Sequence, residues 1–224
     1  MTVDAVLEVA AKRSFASALD WPGWSRGGRS PDDALAALVA YGPRYATVTQ
    51  RAGLAFEMPA AVEGIRVIER VRGGGGTEFG IPSTPARAEE EPISDDLDRL
   101  VALLRAAWGT FDEAMAAVDG RRLSTGPRGG GRDLARIVEH VRDAEVAYLS
   151  KLGSRAPAAS DRPPAERLAA LRDAFVGALT AIAEGEPVPT PSRTQKLWSP
   201  RYAVRRTAWH VLDHAWELQD RVQR

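Results

Sequence analysis

Apolar and polar positions in the C-terminal part of the chain repeat with the period of an amphipathic α-helix in four segments. The first segment covers about 94–118. The second begins after Asp133, the third after Pro163, and the fourth at Ser199 and Pro200. Aspartate and serine are common N-cap residues, and proline is favoured at the first position of a helix. The predicted buried stripes include Leu100, Leu104, Phe111, Ile137, Val141, Leu171, Phe175, Val211 and Leu218. Four such helices predict an antiparallel four-helix bundle.

The N-terminal part has a mixed pattern. Short runs at 5–10 and 14–19 and a β-branched run at 65–71 are typical of strands, with room for a third short strand between them. Ser30, followed by a proline and two aspartates, predicts a helix start, and Pro43 predicts a break. The order ββ(β)αβ followed by four helices makes the chain an α+β protein, mainly α.

The region between these parts is rich in glycine and proline. Four glycines occupy 73–76, and prolines and glutamates are frequent over 82–92. Such composition is typical of a linker. A dinucleotide loop is the alternative, but residues 77–82 do not predict the helix that would bind a pyrophosphate. The predicted division is therefore a domain at 1–76, a linker at 77–93 and a second domain at 94–224.

Composition removes several classes of function. The 30 Lys and Arg residues balance 30 Asp and Glu residues, so no global positive field favours nucleic acid. The absence of cysteine excludes disulfides, thiolate metal sites and a cysteine nucleophile. The N-terminal residues do not resemble a signal peptide, and no apolar run is long enough to span a membrane. We expect a soluble, cytoplasmic protein.

The three histidines are the main candidates for chemistry. His210 and His214 are four residues apart on the last predicted helix, a spacing at which two imidazoles can share a metal ion. His140 lies on the second helix of the bundle, at a position expected to face its interior. However, the pair falls at the edge of the apolar stripe. From spacing alone, solvated or hydrogen-bonded histidines remain an equal alternative.

Residues 140–149 and 198–215 resemble the DinB/YfiT-like superfamily of metal-binding four-helix bundles, which includes relatives of mycothiol-dependent maleylpyruvate isomerase. The second stretch, with its double arginine before a Trp-His and an Asp-His, carries the more specific likeness. The resemblance implies that His140, His210 and His214 bind one divalent metal, Zn²⁺ or Ni²⁺. It also implies a transferase, isomerase or hydrolase acting on a small substrate, with a low-molecular-weight thiol such as mycothiol as a candidate cofactor.

The N-terminal part resembles a small HicB-like antitoxin-type domain. The likeness rests on the Pro-Gly turn, the glycine pair and the helix start at 15–23, 27–28 and 30–35. HicB-like domains are antitoxins, often with a DNA-binding segment that we do not find in this sequence. The resemblance implies an alternative function: a regulatory or partner-binding protein whose metal site is structural.

Charged residues near the histidines are secondary candidates. Asp143, Asp213 and Glu217 could each orient an imidazole, and Arg136 and Arg206 each precede a histidine by one helical turn. Positive charge there would favour an anionic substrate or a thiol cofactor with carboxylates. For each acid the simple alternative is a solvated helix charge.

The remaining candidates are aromatic and glycine-rich. Trp209 and Trp216 are predicted to pack in the core or against the N-terminal part, with a substrate wall as the alternative. The segment 126–132 could hold an anion through Arg128 and Arg132, although a flexible loop is the preferred interpretation. The expected partner is a small-molecule substrate, and a homodimer is left open.

Overall fold

The computed structural model describes residues 2–125, 132–158, 163–188 and 196–222. A four-stranded sheet with strand order β3-β2-β1-β4 forms the N-terminal part. Its strands are β1 (Val3–Val9), β2 (Ser14–Ala18), β3 (Ser25–Gly28) and β4 (Ile65–Arg72). β1 and β2 are antiparallel, as are β2 and β3, whereas β4 runs parallel to β1. The optional third strand of the sequence prediction is therefore present.

Two short helices cross over between β3 and β4. They are α1 (Pro31–Ala40) and α2 (Gly42–Arg51). α1 begins with a capping box, because the Ser30 hydroxyl accepts from the Asp33 amide while the Asp33 carboxylate accepts from the Ser30 amide. Pro43 at the start of α2 fits the predicted break.

One prediction about the region after β4 is wrong. A helix, α3 (Gly75–Phe79), does form there, and it is five residues long. Local polar contacts stabilise it, since the Thr77 hydroxyl accepts from the Gly74 amide and donates to the buried carboxylate of Glu8. Such contacts leave no periodic signal in the sequence.

The predicted linker 77–93 contains buried residues at several points. Ala86, Glu89 and Ile93 are 1%, 4% and 2% exposed. Glu89 lies in a 3₁₀ turn, Arg87–Glu90, and binds Arg205 of the last helix. We call residues 83–93 the strap, because they connect the sheet to the last helix. Independent folding of 1–76 and 94–224 stays a prediction.

Four long helices form the rest of the protein, each close to its predicted position. They are α4 (Leu97–Val118), α5 (Leu134–Lys151), α6 (Pro164–Ala183) and α7 (Pro200–Arg221). α7 contacts α4 and α5, and α6 contacts the same two helices. The chain is thus α+β and mainly helical. Within the described ranges, no helix has the length and apolar character of a membrane span.

α7 also packs against the N-terminal part, so apolar residues of both parts form one continuous core. The Trp209 ring meets Phe15 edge-on at 6.1 Å, and the Trp216 ring lies 5.3 Å from that of Tyr41. This confirms the predicted packing of the two tryptophans. At Gly23, with φ of 95°, a Cβ would come within 2.9 Å of Leu212 Cδ1, so the sheet corner sits directly on α7.

Candidate metal centre

The three histidines converge between α5 and α7. His210 and His214 lie one turn apart on α7, and His140 faces them from α5. The Nε2 atoms of His140 and His210 are 3.1 Å apart. The ring centroids of the three imidazoles are 4.8, 5.0 and 5.1 Å apart, and one ligand nitrogen from each lies within 4.8 Å of the others.

The spacing of the closest pair of nitrogens fits a shared ion. Nitrogen ligands about 2.0–2.1 Å from a metal stand about 2.9 Å apart at a right angle and about 3.3 Å apart at the tetrahedral angle. The 3.1 Å between the two Nε2 atoms falls between these values. The three histidines lie close enough to bind a single metal ion. His210 and His214 are also buried and His140 is half-buried, so the alternative of a solvated pair is wrong.

The surroundings favour neutral imidazoles, which is the form that binds metals. Burial, reinforced by the neighbouring His214 and Arg206, holds the pKa of His210 well below its ordinary value. Burial also lowers the pKa of His140, with His214 and Arg132 adding to the effect. Both rings therefore keep a free lone pair near neutral pH.

A hydrogen-bonded chain fixes the orientation of His214. Its Nδ1 lies 2.9 Å from Glu217 Oε2, and Glu217 Oε1 accepts from Arg221 Nη1 at 2.6 Å. Arg221 in turn donates to the carbonyls of Ser124 and Arg132. The hydrogen bond from His214, together with Arg221, lowers the pKa of Glu217 despite its partial burial. An ionised Glu217 accepts from Nδ1–H, which leaves Nε2 of His214 free as a ligand.

The other two candidate acids bind arginines, although the charge of Asp143 still reaches His140 and opposes the lowering of its pKa. Asp213 accepts from Arg26 of β3 at 3.1 Å. Asp143 is exposed and pairs with its neighbour Arg142 at 2.8 Å. Of the three acids, the structure brings Glu217 to a ring nitrogen.

The two candidate arginines also differ. Arg136 is exposed on α5, whereas Arg206 is buried at 6% exposure. The Arg206 guanidinium carbon lies 5.2 Å from the ring centroid of Tyr148 and 4.7 Å from that of Trp209. The Tyr148 ring is itself 5.8 Å from that of His210. Arg206 therefore borders the histidines from inside the protein, whereas Arg136 is an exposed side chain of α5.

Sequence reasoning missed two aromatic residues beside the histidines. Tyr148 packs against Trp198 with ring centroids 5.1 Å apart, and both are half-buried. Tyr148 is eight residues after His140, two turns along the same face of α5, so the spacing contained a signal. The candidate anion loop falls largely outside the described residues, at 126–131.

Comparison with known proteins adds no assignment. No family model, curated protein or solved structure matches the chain. The resemblances to DinB/YfiT-like and HicB-like proteins therefore stay hypotheses, and the function must come from the site itself.

Proposed function

We propose that the protein is a DinB-like, divalent-metal-dependent enzyme that acts on a small molecule as a transferase, isomerase or hydrolase. His140, His210 and His214 are the proposed ligands of one ion. The observation that carries the proposal is the approach of three imidazoles in a buried site, with two Nε2 atoms 3.1 Å apart. Zn²⁺ and Ni²⁺ both suit nitrogen ligands of this kind.

Three protein ligands are typical of a catalytic rather than a closed structural site. A divalent metal bound there supplies a Lewis-acidic centre with positions open to water, a thiolate or a substrate oxygen. The chain's own contribution is to keep His140 and His210 neutral by burial and to orient His214 through Glu217. Because the chain has no cysteine, any thiol in the reaction is an external one, with mycothiol as one candidate.

A second candidate function is a regulatory or partner-binding protein with a structural metal. One contact favours it: Asp213, which lies between the two ligands on α7, binds Arg26 of the N-terminal sheet at 3.1 Å. A metal on α7 would therefore stabilise the junction of the two parts of the chain.

Metal analysis of the purified protein tests the ligand set. We expect one divalent ion per chain, and His140→Ala, His210→Ala and His214→Ala should each lower the affinity. The loss should exceed the roughly 100-fold that removal of an outer hydrogen-bond partner costs. Asp173→Asn, an exposed change on α6, is the control and should retain the ion. Full occupancy in a histidine variant would remove that residue from the site.

Chelation separates the two candidate functions. For an enzyme, removal of the metal should leave the circular dichroism spectrum nearly unchanged, and the cobalt-substituted protein should respond spectrally to added thiols or anions. A protein that unfolds on chelation, and whose cobalt spectrum ignores every added ligand, has a structural metal instead.

A further inference from the structure

Two buried arginines are adjacent on α7, and only the first of them pairs with a carboxylate of the described residues. Arg205, 2% exposed, donates to Glu89 at 2.5 and 2.9 Å and to the Ser17 hydroxyl at 3.2 Å. Arg206, 6% exposed, forms no ion pair with any carboxylate of the described residues, and its Nη1 has no hydrogen-bond partner among them. A buried guanidinium without a counter-ion is costly, because desolvation of its charge is not offset.

The contacts that Arg206 does make are mainly aromatic. Its guanidinium carbon lies 5.2 and 4.7 Å from the ring centroids of Tyr148 and Trp209, and the guanidinium hydrogen-bonds the side chain of Tyr148. Cation–π contacts offset only part of the free energy that burial of the charge costs. The carboxylate of Glu8 attracts Arg206 electrostatically, but it already accepts hydrogen bonds from the hydroxyls of Thr77 and Thr84. The structure thus leaves the charge of Arg206 available to an outside partner.

That charge would add to the positive charge of a bound metal. Arg206 lies one turn before His210, and both contact the ring of Tyr148. Three neutral imidazoles do not compensate a divalent ion, and Glu217 is shared with Arg221. Half-buried His140 marks the side on which the centre meets solvent.

We infer that Arg206 binds a carboxylate of the ligand whose second donor group takes the open position on the metal. The inference rests on the proposed function and names its substrate class as small carboxylates. A guanidinium is planar and presents its nitrogens as a fork, which matches the planar, singly charged carboxylate.

Two thiols test this on the cobalt-substituted protein. The probes are 3-mercaptopropionate and 2-mercaptoethanol, which share a thiol and differ in carrying a carboxylate or a hydroxyl. We expect the carboxylate probe to bind at least tenfold more tightly, and Arg206→Gln to abolish this preference. Arg136→Gln, the same change at an exposed site, should keep it. A probe that chelates cobalt without help from Arg206 would bind the Arg206→Gln variant just as tightly. A preference for the carboxylate probe that persists in this variant therefore overturns the inference. A wild-type protein that shows no such preference also overturns it.

A measurement on the metal-free wild-type protein does not depend on the variant or on the metal. Titration with acetate should shift the NMR signal of the Arg206 side-chain Nε–H, while that of Arg205, held by Glu89, stays in place. An unmoved Arg206 signal contradicts carboxylate binding. If cobalt fails to bind while acetate still shifts Arg206, the proposed metal function fails and the anion site stands.

Discussion

The two sides of α7 differ in whether their buried arginine is paired with a carboxylate. The sheet-side face, defined by Arg205, Trp209 and Trp216, packs on the N-terminal part and the strap. The histidine face, defined by Arg206, His210 and His214, looks toward α5. On the sheet-side face the guanidinium of Arg205 binds the carboxylate of Glu89. On the histidine face Nη1 of Arg206 and Nδ1 of His210 are buried without a hydrogen-bond partner among the described residues.

The difference separates groups that stabilise the fold from groups kept for a ligand. A buried ion pair such as Arg205–Glu89 holds distant parts of the chain in register, and loss of one partner is expensive. Buried charges without partners destabilise the folded state, so a protein that retains them has another use for them. Each prediction below changes one buried or half-buried acid and asks which of these two roles it serves.

The largest effect is expected at the sheet-side face. Glu89→Gln leaves the guanidinium of Arg205 buried without its counter-ion, so the free energy of unfolding should fall by about 3–5 kcal/mol. Urea denaturation measures this. Glu90→Gln, one residue along and exposed, should change stability by about 0.5 kcal/mol or less. A loss below about 1 kcal/mol for Glu89→Gln would mean that the pair holds nothing together.

The contrast between the two arginines shows where sequence reasoning ends. Arg205 and Arg206 are adjacent, and the partner of Arg205 lies 116 residues away in a segment that the sequence presents as a linker. Nothing local distinguishes a paired arginine from an unpaired one. The sequence therefore identifies a basic pair near the histidines but not the role of each member.

Most of the other elements of the fold were predictable from periodic and capping signals in the sequence. The four long helices and the strands were predictable because apolar spacing and helix starts such as Ser30 and Asp133 are local features. The burial of α7 on nearly all sides was not, because polar positions on it are covered by the sheet and the strap. The metal ligands were predictable from the spacing of two histidines, while their closeness to His140 needed the packing of α5 on α7.

A second effect is expected inside the bundle, away from both faces of α7. Burial raises the pKa of Glu145 to about 7, although nearby Arg172 opposes the shift. The Nε of Arg172 lies 3.5 Å from Glu145 Oε2, which is too long for a strong hydrogen bond, and Arg172 binds Asp112 at 2.8 Å. Glu145 is thus a buried acid with a weak partner. Ionising it should destabilise the folded protein, so stability should depend on pH.

The sign follows from proton binding. Between pH 4.5 and about 7 the folded protein holds a proton on Glu145 that the unfolded chain releases. Stability should therefore fall as pH rises through this window, by up to about 3 kcal/mol at about 1.36 kcal/mol per unit of pKa shift. Glu145→Gln should remove this fall, so the variant gains stability over the wild type at pH 8 relative to pH 5.

Urea denaturation at both pH values, with a chelator present, gives the difference between variant and wild type. Contributions from other titrating groups cancel in that difference. Glu113→Gln, at a side chain that is 66% exposed, should follow the wild type at both pH values. Equal pH dependence in Glu145→Gln and the wild type would show that Glu145 is ionised like an ordinary surface acid.

The smallest effect is expected on the histidine face, at Glu217. Glu217→Gln keeps the size of the side chain but replaces the carboxylate that accepts from His214 Nδ1–H and fixes its tautomer. Metal affinity should fall by about 10- to 100-fold, as is typical when an outer partner of a ligand is lost. Asp213→Asn and Asp143→Asn remove the same charge near the same helices, but their carboxylates bind Arg26 and Arg142 instead. Competition of the metal against a chelator measures all three affinities. If the three variants weaken binding equally, the effect of Glu217 is one of general charge rather than of its contact with His214, and the histidine face loses its distinction from the rest of the surface.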